Sequence, residues 1–598
     1  MRRYILFHMI RRGPAGTLRW LFSSTQGVPG RLIPRWIFLR ALAAIYFSAF
    51  FSLLFQIKGL IGPNGILPAQ QYLPAVAEQL GKGALWFAPS LFWLNTSNTM
   101  LMAVTWLGLI ASIVAFFNLW PRLSFFICFT CFLSFIGASS IFSSYQSDGM
   151  LLEAGFIALF FAPRGLRPGW GADHPPSRAS LFLLQWEWFR IYFESGLVKL
   201  LSGDVEWRNF TAMDEYYQNG PLPTWIGWYA EHLAHWFHAA SVGATLGMEL
   251  VIVFMLFFPR RVRLICFFIV TPWEVGVILT ANYTFLNYLV LVLGFLLLDD
   301  GYLARLVPTR FRFPALIEKI EPPIDTPIEQ SLSILAIGDA DVATADLVPT
   351  ESTNTNECAP SISQILRNGW EGKNPATLGT KPHNPFRSFA TQKAALRLAI
   401  ATVFLTLVAY NTTIELIGIP WQSMPTILTV PVSLLSPFRI ANQYGLFAVM
   451  TRGRYEIEFQ GSNDGNRWTA YPFRNKPQAL NEAPRIYAPY QPRFDWNLWF
   501  ASLGDWRQNE FVPLTEERLL VSDGDVLALF RSNPFPQSPP RYIRAVLWQY
   551  WFTSMDEKRR TGNWWTRAWV GIYAPVLAMT PDGRYAEVQP ADQLPDHD

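Results

Sequence analysis

Residues 36–57 read WIFLRALAAIYFSAFFSLLFQI, a run in which Arg40 is the lone charge. A helix rises about 1.5 Å per residue and the hydrocarbon of a bilayer is about 30 Å thick, so about 20 mostly apolar residues cross it. This run is long enough to span, too long for a signal-peptide h-region and lacks a convincing cleavage site, so it reads as a retained anchor. Outward along the chain the same character recurs at 99–117, 123–142, 149–162, 180–200, 242–258, 264–281, 285–298 and 396–417. The stretches at 149–162 and 285–298 are short, which sets the expectation at about 8–10 transmembrane helices in a polytopic α-helical membrane protein. Composition agrees: 15% of residues are charged, against about a quarter in soluble domains, and the 25 tryptophans suit a chain with rings at headgroup level. A net charge of +4, dispersed along the chain, gives no footprint for nucleic acid.

Orientation follows from the basic residues, which keep loops on the cytoplasmic side. The 1–35 segment holds Arg2, Arg3, Arg11, Arg12, Arg19, Arg31 and Arg35 and is expected inside. Alternation then places Arg122, next Arg164, Arg167 and Arg178, and finally Arg260, Arg261 and Arg263 inside. The opposite loops before residue 264 hold only Lys58, Lys82 and Arg208. An odd number of spans puts everything after 417 on the non-cytoplasmic side.

The chain divides in this reading into a multi-span domain at 36–300, a linker at 301–393, a last membrane helix at 394–420, a β-rich, Trp-rich extramembrane domain at 421–585 and a tail at 586–598. The linker is broken by Pro308, Pro322, Pro323 and Pro327 and turns rich in Thr, Asn and Asp, a composition that predicts partial disorder. From Arg454 the period changes to two. Tyr455, Ile457 and Phe459 alternate with polar residues, Asn463-Asp464-Gly465 supplies turn chemistry, and 468–473 can return antiparallel. The stretches at 494–503 and 542–552 carry aromatic residues at roughly helical spacing and are expected to pack on the sheet or lie at the membrane surface. Asp495, Trp496 and Trp499 in the first of them are candidate client-facing residues.

Charges inside lipid spans are expensive, so each is a functional candidate. Glu187, Arg190 and Glu194 fall at i, i+3 and i+7, along one helix face, and Lys199 lies at the outer end. An ion-pair ladder holding helices in register and a polar site between helices are both compatible with that spacing. Glu153, Glu249 and Glu274 are lone acids on other spans that can complete the cluster, and Asp204, Trp207, Arg208 and Asp214 follow where the chain leaves the membrane. His232, His235 and His238 are spread too far around a helix for joint ligation, so they are expected to be interfacial or surface histidines with no metal. Cys128 and Cys131 sit inside a lipid-length helix and read as small packing residues. There is no G-x-S-x-G, P-loop or H-E-x-x-H.

From Phe189 the sequence runs FRIYFESGLVKLLSGDVEWRNFTAMDEYYQNGPLPTW, which resembles the lipase maturation factor family. Further blocks agree in order: GLIGPNGILPAQQYL from Gly59, YQSDGMLLEAGF from Tyr145, ANYTFLNYLVLVLGFLLLDD from Ala281, NQYGLFAVMTRGRYEIEFQGSNDG from Asn442, APYQPRFDWNLWFASLG from Ala488 and NPFPQSPPRYIRA from Asn533. Tyr216 and Gly220 stand where family members often carry His and Gln ahead of Pro-Leu-Pro. The resemblance implies a membrane-resident factor that helps secreted clients, lipases in the animal examples, reach their active assembly in the endoplasmic reticulum. It implies no catalytic residues and no cofactor. Its partners would be membrane lipids and those clients. The closing residues Leu594-Pro595-Asp596-His597-Asp598 are not a KDEL-type signal, so a bacterial cytoplasmic membrane is an equal expectation.

Two other functions compete with the folding factor. The helical region also resembles vitamin K-dependent carboxylase-like membrane domains, which implies an enzyme using the polar residues near Glu194, Lys199, Asp204 and Asp214. A lysine at a water–lipid border loses its proton more readily than in water, as a general base must. A transporter is third, without inverted repeats or paired Gly/Pro-broken spans to support it.

Overall fold

The computed structural model describes residues 13–143, 145–306, 385–421 and 423–594, with the backbone alone for 385–391. Arg2, Arg3, Arg11, Arg12, Cys358, most of the expected linker and the last four residues lie outside the described residues. The chain forms two units, Met1–Arg312 with Ile400–Asp598, and Phe313–Ala399. The second unit contributes, among the described residues, the first part of a long helix.

The first unit is built on helices whose ends the sequence marks. They are α1 (Leu32–Leu54), α2 (Asn98–Phe116), α3 (Pro121–Ala138), α4 (Gln146–Phe161), α5 (Arg178–Ser202), α6 (His235–Leu250), α7 (Arg260–Thr280) and α8 (Leu286–Gly294). The long helix is α9 (Pro385–Gly418). Ser97 and Ser177 cap α2 and α5 by accepting from Met100 and Ser180, Pro121 begins α3, and Asp300 accepts from Leu32 and Ile33 at the start of α1. Capping by a hydroxyl or carboxylate satisfies amides that have no helical acceptor. Among the described residues six helices are long and apolar enough to cross a membrane: α1, α2, α3, α6 with its extension to Phe257, α7 and α9 from Gln392. The other expected spans are helical as well, α4 and α8 being shorter and α5 carrying the charges. The protein is thus a polytopic α-helical membrane protein.

Its helices show the inside-out logic of a bundle in lipid. α2 turns Trp106, Leu107, Ile110 and Ile113 outward and buries Thr105, Gly108 and Ser112. Small residues at the seam let backbones approach where no hydrophobic force separates helix from lipid. Gly155 of α4 is one such site: a Cβ there would collide with the Tyr46 hydroxyl, which donates to the Leu151 carbonyl at 3.1 Å.

After α9 come α10 (Thr426–Leu435), then a six-stranded sheet with α11 (Arg493–Ala501) and α12 (Phe511–Leu520) packed around it. The strands are β1 (Arg454–Ser462), β2 (Thr469–Ala470), β3 (Tyr542–Phe552), β4 (Trp565–Ile572), β5 (Val576–Met579) and β6 (Tyr585–Gln589). β1 pairs antiparallel with β3 from Arg454↔Tyr550 to Ser462↔Tyr542, and β4 and β5 share the other edge of β3. One face carries Ile457, Phe459, Ala545 and Leu547 into a cluster with Phe473, Phe494 and Phe530. The other face holds Glu456 against Arg454 and Lys476, and Arg567 against Glu458 and the Trp548 ring.

The expected hairpin is present, with a shorter return: Gln460↔Ala470 and Gly461↔Thr469 pair across residues 463–468. The helical reading of 542–552 is overturned. β3 is central and covered on both faces, so Ile543, Leu547 and Tyr550 are all buried and imitate a spacing of four and three. Helix α11 forms where 494–503 predicted one.

Gly465 at the hairpin tip has φ +76°, a conformation in which a β-branched residue is strained. Gly465→Val is expected to destabilise the sheet region by about 1 kcal/mol or more, read as a lowered midpoint of tryptophan-fluorescence unfolding in detergent.

Candidate functional site

The charged face of α5 points into protein along its whole length. Glu187, Arg190, Glu194 and Lys199 are each 3% exposed or less. Arg190 is ion-paired with Glu153 of α4, lies 3.6 Å from Glu194 and donates to the Asn442 carbonyl at 2.6 Å. The second oxygen of Glu153 accepts from the Asn442 amide at 3.1 Å and the Tyr444 hydroxyl at 2.8 Å, while Glu194 accepts from the Tyr444 amide at 2.6 Å. The two carboxylates thereby hold a guanidinium on one side and a strip of backbone on the other. Breaking one member of such a buried pair costs about 3–5 kcal/mol, because the survivor has no water to turn to. Both carboxyl oxygens of Glu187 lack a partner among the described residues.

One turn further out, Lys199 donates to both oxygens of Glu249 on α6, at 2.8 and 2.9 Å. Tyr192 of α5 donates to Glu274 of α7. Glu153, Glu249 and Glu274, the acids singled out on other spans, are therefore each engaged by α5, as the spacing allowed.

α5 stops at Gly203, whose φ of +80° suits a helix C-terminus. Asp204 then accepts from the amides of Glu206 and Met450, at 2.7 and 2.5 Å, and the Trp207 indole donates to the Phe447 carbonyl at 2.9 Å. Arg208 remains exposed and outside this cluster. Asp214 receives the Nδ1 atoms of His235 and His238, at 2.9 and 2.7 Å, while His232 bridges the Trp228 and Thr553 carbonyls. Of the three histidines expected to be interfacial or at the surface, His238 is buried, closing the space between Asp214 and the Ala230 carbonyl. Burial and the neighbouring Glu215 carboxylate push Glu231 in this loop up to about 8.

Between α5, α6, α7, α8 and the segments at 445–451 and 491–511 lies a cavity of about 750 Å³. Lys199, Glu249, Glu274, Trp207 and four tyrosines, Tyr145, Tyr192, Tyr216 and Tyr283, line it. Tyr216 and Gly220, the positions that depart from the family pattern, are both in its wall. Its volume falls within the range of about 300–1,000 Å³ that small-molecule sites occupy.

Trp496 and Trp499, expected to face clients, line this cavity instead and are 8% and 6% exposed. Asp495 is buried too, receiving the Asn475 amide at 2.8 Å; burial pushes its carboxyl up to about 6 against that hydrogen bond. The aromatic face of α11 is enclosed because the helix packs on β1 and against the 140–143 turn that precedes α4. Arg493, at its start, forks onto both oxygens of Asp148 at 2.8 Å and donates to the Phe142 carbonyl. Sequence reasoning missed Asn442, Tyr444, Asp148 and Arg493; the block beginning NQYG at 442 was visible, but its partners were not.

A bundle of membrane helices clasping a β-rich C-terminal region through buried ion pairs and backbone contacts defines a membrane protein of two interdependent parts. The comparisons name both. The lipase maturation factor transmembrane domain model matches residues 33–305, and the lipase maturation factor C-terminal domain model matches residues 440–575. Lipase maturation factor 2 of Homo sapiens is 32% identical, over 92% of this chain and 83% of that protein. The Gallus gallus protein of the same name is also 32% identical, over 95% and 85%, and lipase maturation factor 1 of Bos taurus is 28% identical, over 92% and 91%. No solved structure matches. This chain belongs to the lipase maturation factor family.

The Lys199–Glu249 pair gives a double-mutant test. Lys199→Met or Glu249→Leu alone is expected to lower stability by about 3–5 kcal/mol, and the combination by clearly less than the worse single change, because no buried charge is then left alone. Unfolding midpoints of the four purified proteins in one detergent decide it.

Proposed function

We propose that this chain is a membrane-resident maturation factor for secreted client proteins, working from the non-cytoplasmic side of the endoplasmic reticulum membrane or of a bacterial cytoplasmic membrane. The observation that carries the reading is the pairing of both family regions in one chain, joined at the outer ends of the helices. Arg454 donates to the carbonyls of Gln218 and Gly220, Asn219 donates to the Thr451 carbonyl, and the Gln218 side chain accepts from the Phe552 amide. These contacts bring the 204–240 loop and the sheet to the same end of the bundle, and the alternation of basic loops supports that end being non-cytoplasmic. The relatives' names supply the activity, and lipases are the client class those names suggest. Since Trp496 and Trp499 are enclosed, client contact falls to other surface.

A membrane enzyme is the second reading, and one observation favours it: Lys199, two carboxylates and four tyrosines share a single cavity. Against it, Lys199 and Glu249 occupy one another, an arrangement suited to holding two helices together rather than to accepting a proton from substrate.

Lys199→Arg separates the readings. Arginine keeps the charge and can pair with Glu249 but does not release a proton at ordinary pH. Cells lacking the chain are expected to secrete less active client, and the Lys199→Arg form to restore at least half of what the unaltered chain restores, measured on secreted protein and its activity. A variant that accumulates normally yet restores nothing would overturn the folding-factor reading in favour of the enzyme.

A further inference from the structure

The cavity beside α5 has a wall and an unmet set of polar groups, and together these specify an occupant. The wall side chains that are exposed are Ile141, Val449 and Phe500, at 37%, 66% and 47%. All are apolar. Apolar side chains left exposed along the wall are unfavourable against water and favourable against lipid, which suits an occupant drawn from the bilayer.

Inside, the indole N–H groups of Trp496 and Trp499 are withdrawn from solvent and find no acceptor among the described residues. The hydroxyl of Thr284 and the side-chain carbonyl of Gln491 are in the same state. All four side chains are more than nine-tenths buried and belong to the cavity wall. A buried polar group left without a partner costs about 1–3 kcal/mol of lost hydration, so these groups, gathered in one wall, favour an occupant that meets them. Indole donates only, and two free indoles therefore ask for oxygen acceptors, while Gln491 accepts and asks for a donor.

Charge narrows the choice. Among the described residues Lys199 is the lone Lys or Arg in the wall, and it donates to both Glu249 oxygens and to the Ser195 carbonyl; Glu274 adds a second carboxylate. No cation among the described residues of the wall is left over for a phosphate or a fatty-acid carboxylate, and a desolvated anion without one is strongly disfavoured.

We propose that this cavity binds a neutral, ester-bearing glycerolipid taken from the outer leaflet: ester carbonyls accept from Trp496 and Trp499, a free glycerol hydroxyl donates to Gln491, and the acyl chain lies toward Ile141, Val449 and Phe500. The choice of leaflet rests on the orientation proposed above; the lipid class does not, and its test uses no client.

The full-length protein, in nanodiscs of phosphatidylcholine, is exposed in turn to photoactivatable analogues of diacylglycerol and phosphatidic acid bearing the same acyl chains, and labelled peptides are mapped. Diacylglycerol is expected to label the 445–451 or 491–503 segments, to be competed by unlabelled diacylglycerol, and to do so roughly tenfold better than phosphatidic acid. In Trp496→Phe/Trp499→Phe, which keeps an aromatic ring at each position and removes the donors, competition should need roughly fivefold or more lipid. Equal or stronger labelling by phosphatidic acid, labelling confined to the outer lipid-facing helices, or a Phe variant that accumulates normally and competes like the unaltered protein would each overturn the proposal. The choice between the two analogues on the unaltered protein stands even if the variant fails to fold.

Discussion

A guanidinium placed between membrane helices must be neutralised where it stands, and Arg190 sets that condition for the rest of the molecule. Its side chain is fully enclosed. Glu153 and Glu194 answer its charge, and the Asn442 carbonyl answers a further N–H. The carboxylates then have lone pairs to spare, which the amides of Asn442 and Tyr444 and the Tyr444 hydroxyl fill. A low-dielectric setting makes each of these contacts stronger and each omission dearer. The helix bundle and the chain that follows α9 are consequently parts of one electrostatic unit.

That constraint propagates outward. With 442–444 pinned, residues 445–451 run over the outer end of α5, where Trp207 and Asp204 hold them, and become one wall of the cavity. Arg493 makes a second lock through Asp148, setting α11 so that Trp496 and Trp499 close the opposite wall. The cavity is thus the space left where two locks hold the β-rich region a fixed distance from the helices. The sheet itself contributes rigidity, with β3 at its centre, paired with β1 on one edge and with β4 and β5 on the other.

The apolar runs were legible because lipid imposes a length and a composition, and all nine became helices. The α5 face was legible because a charge at i, i+3 and i+7 can only be affordable toward protein. The hairpin followed from period two and a turn signal. What stayed hidden depends on long-range pairing: Lys199 meets Glu249 across 50 positions, and Arg493 meets Asp148 across 345. The strand at 542–552 misled because a strand covered on both faces loses its alternation, and Trp496 and Trp499 misled because an aromatic helix face looks the same whether it meets solvent, client or the protein's own interior. The resemblance to a family located both regions but carried no geometry between them.

The most direct test of the central claim is amide hydrogen exchange, followed by mass spectrometry, across 440–453 in the purified full-length protein. The account predicts that peptides containing Asn442 and Tyr444 exchange as slowly as those of α5, and that Arg190→Met releases them while peptides from β1 and β3 stay protected. Rapid exchange of 442–446 in the unaltered protein, or protection there that Arg190→Met leaves untouched, would contradict it.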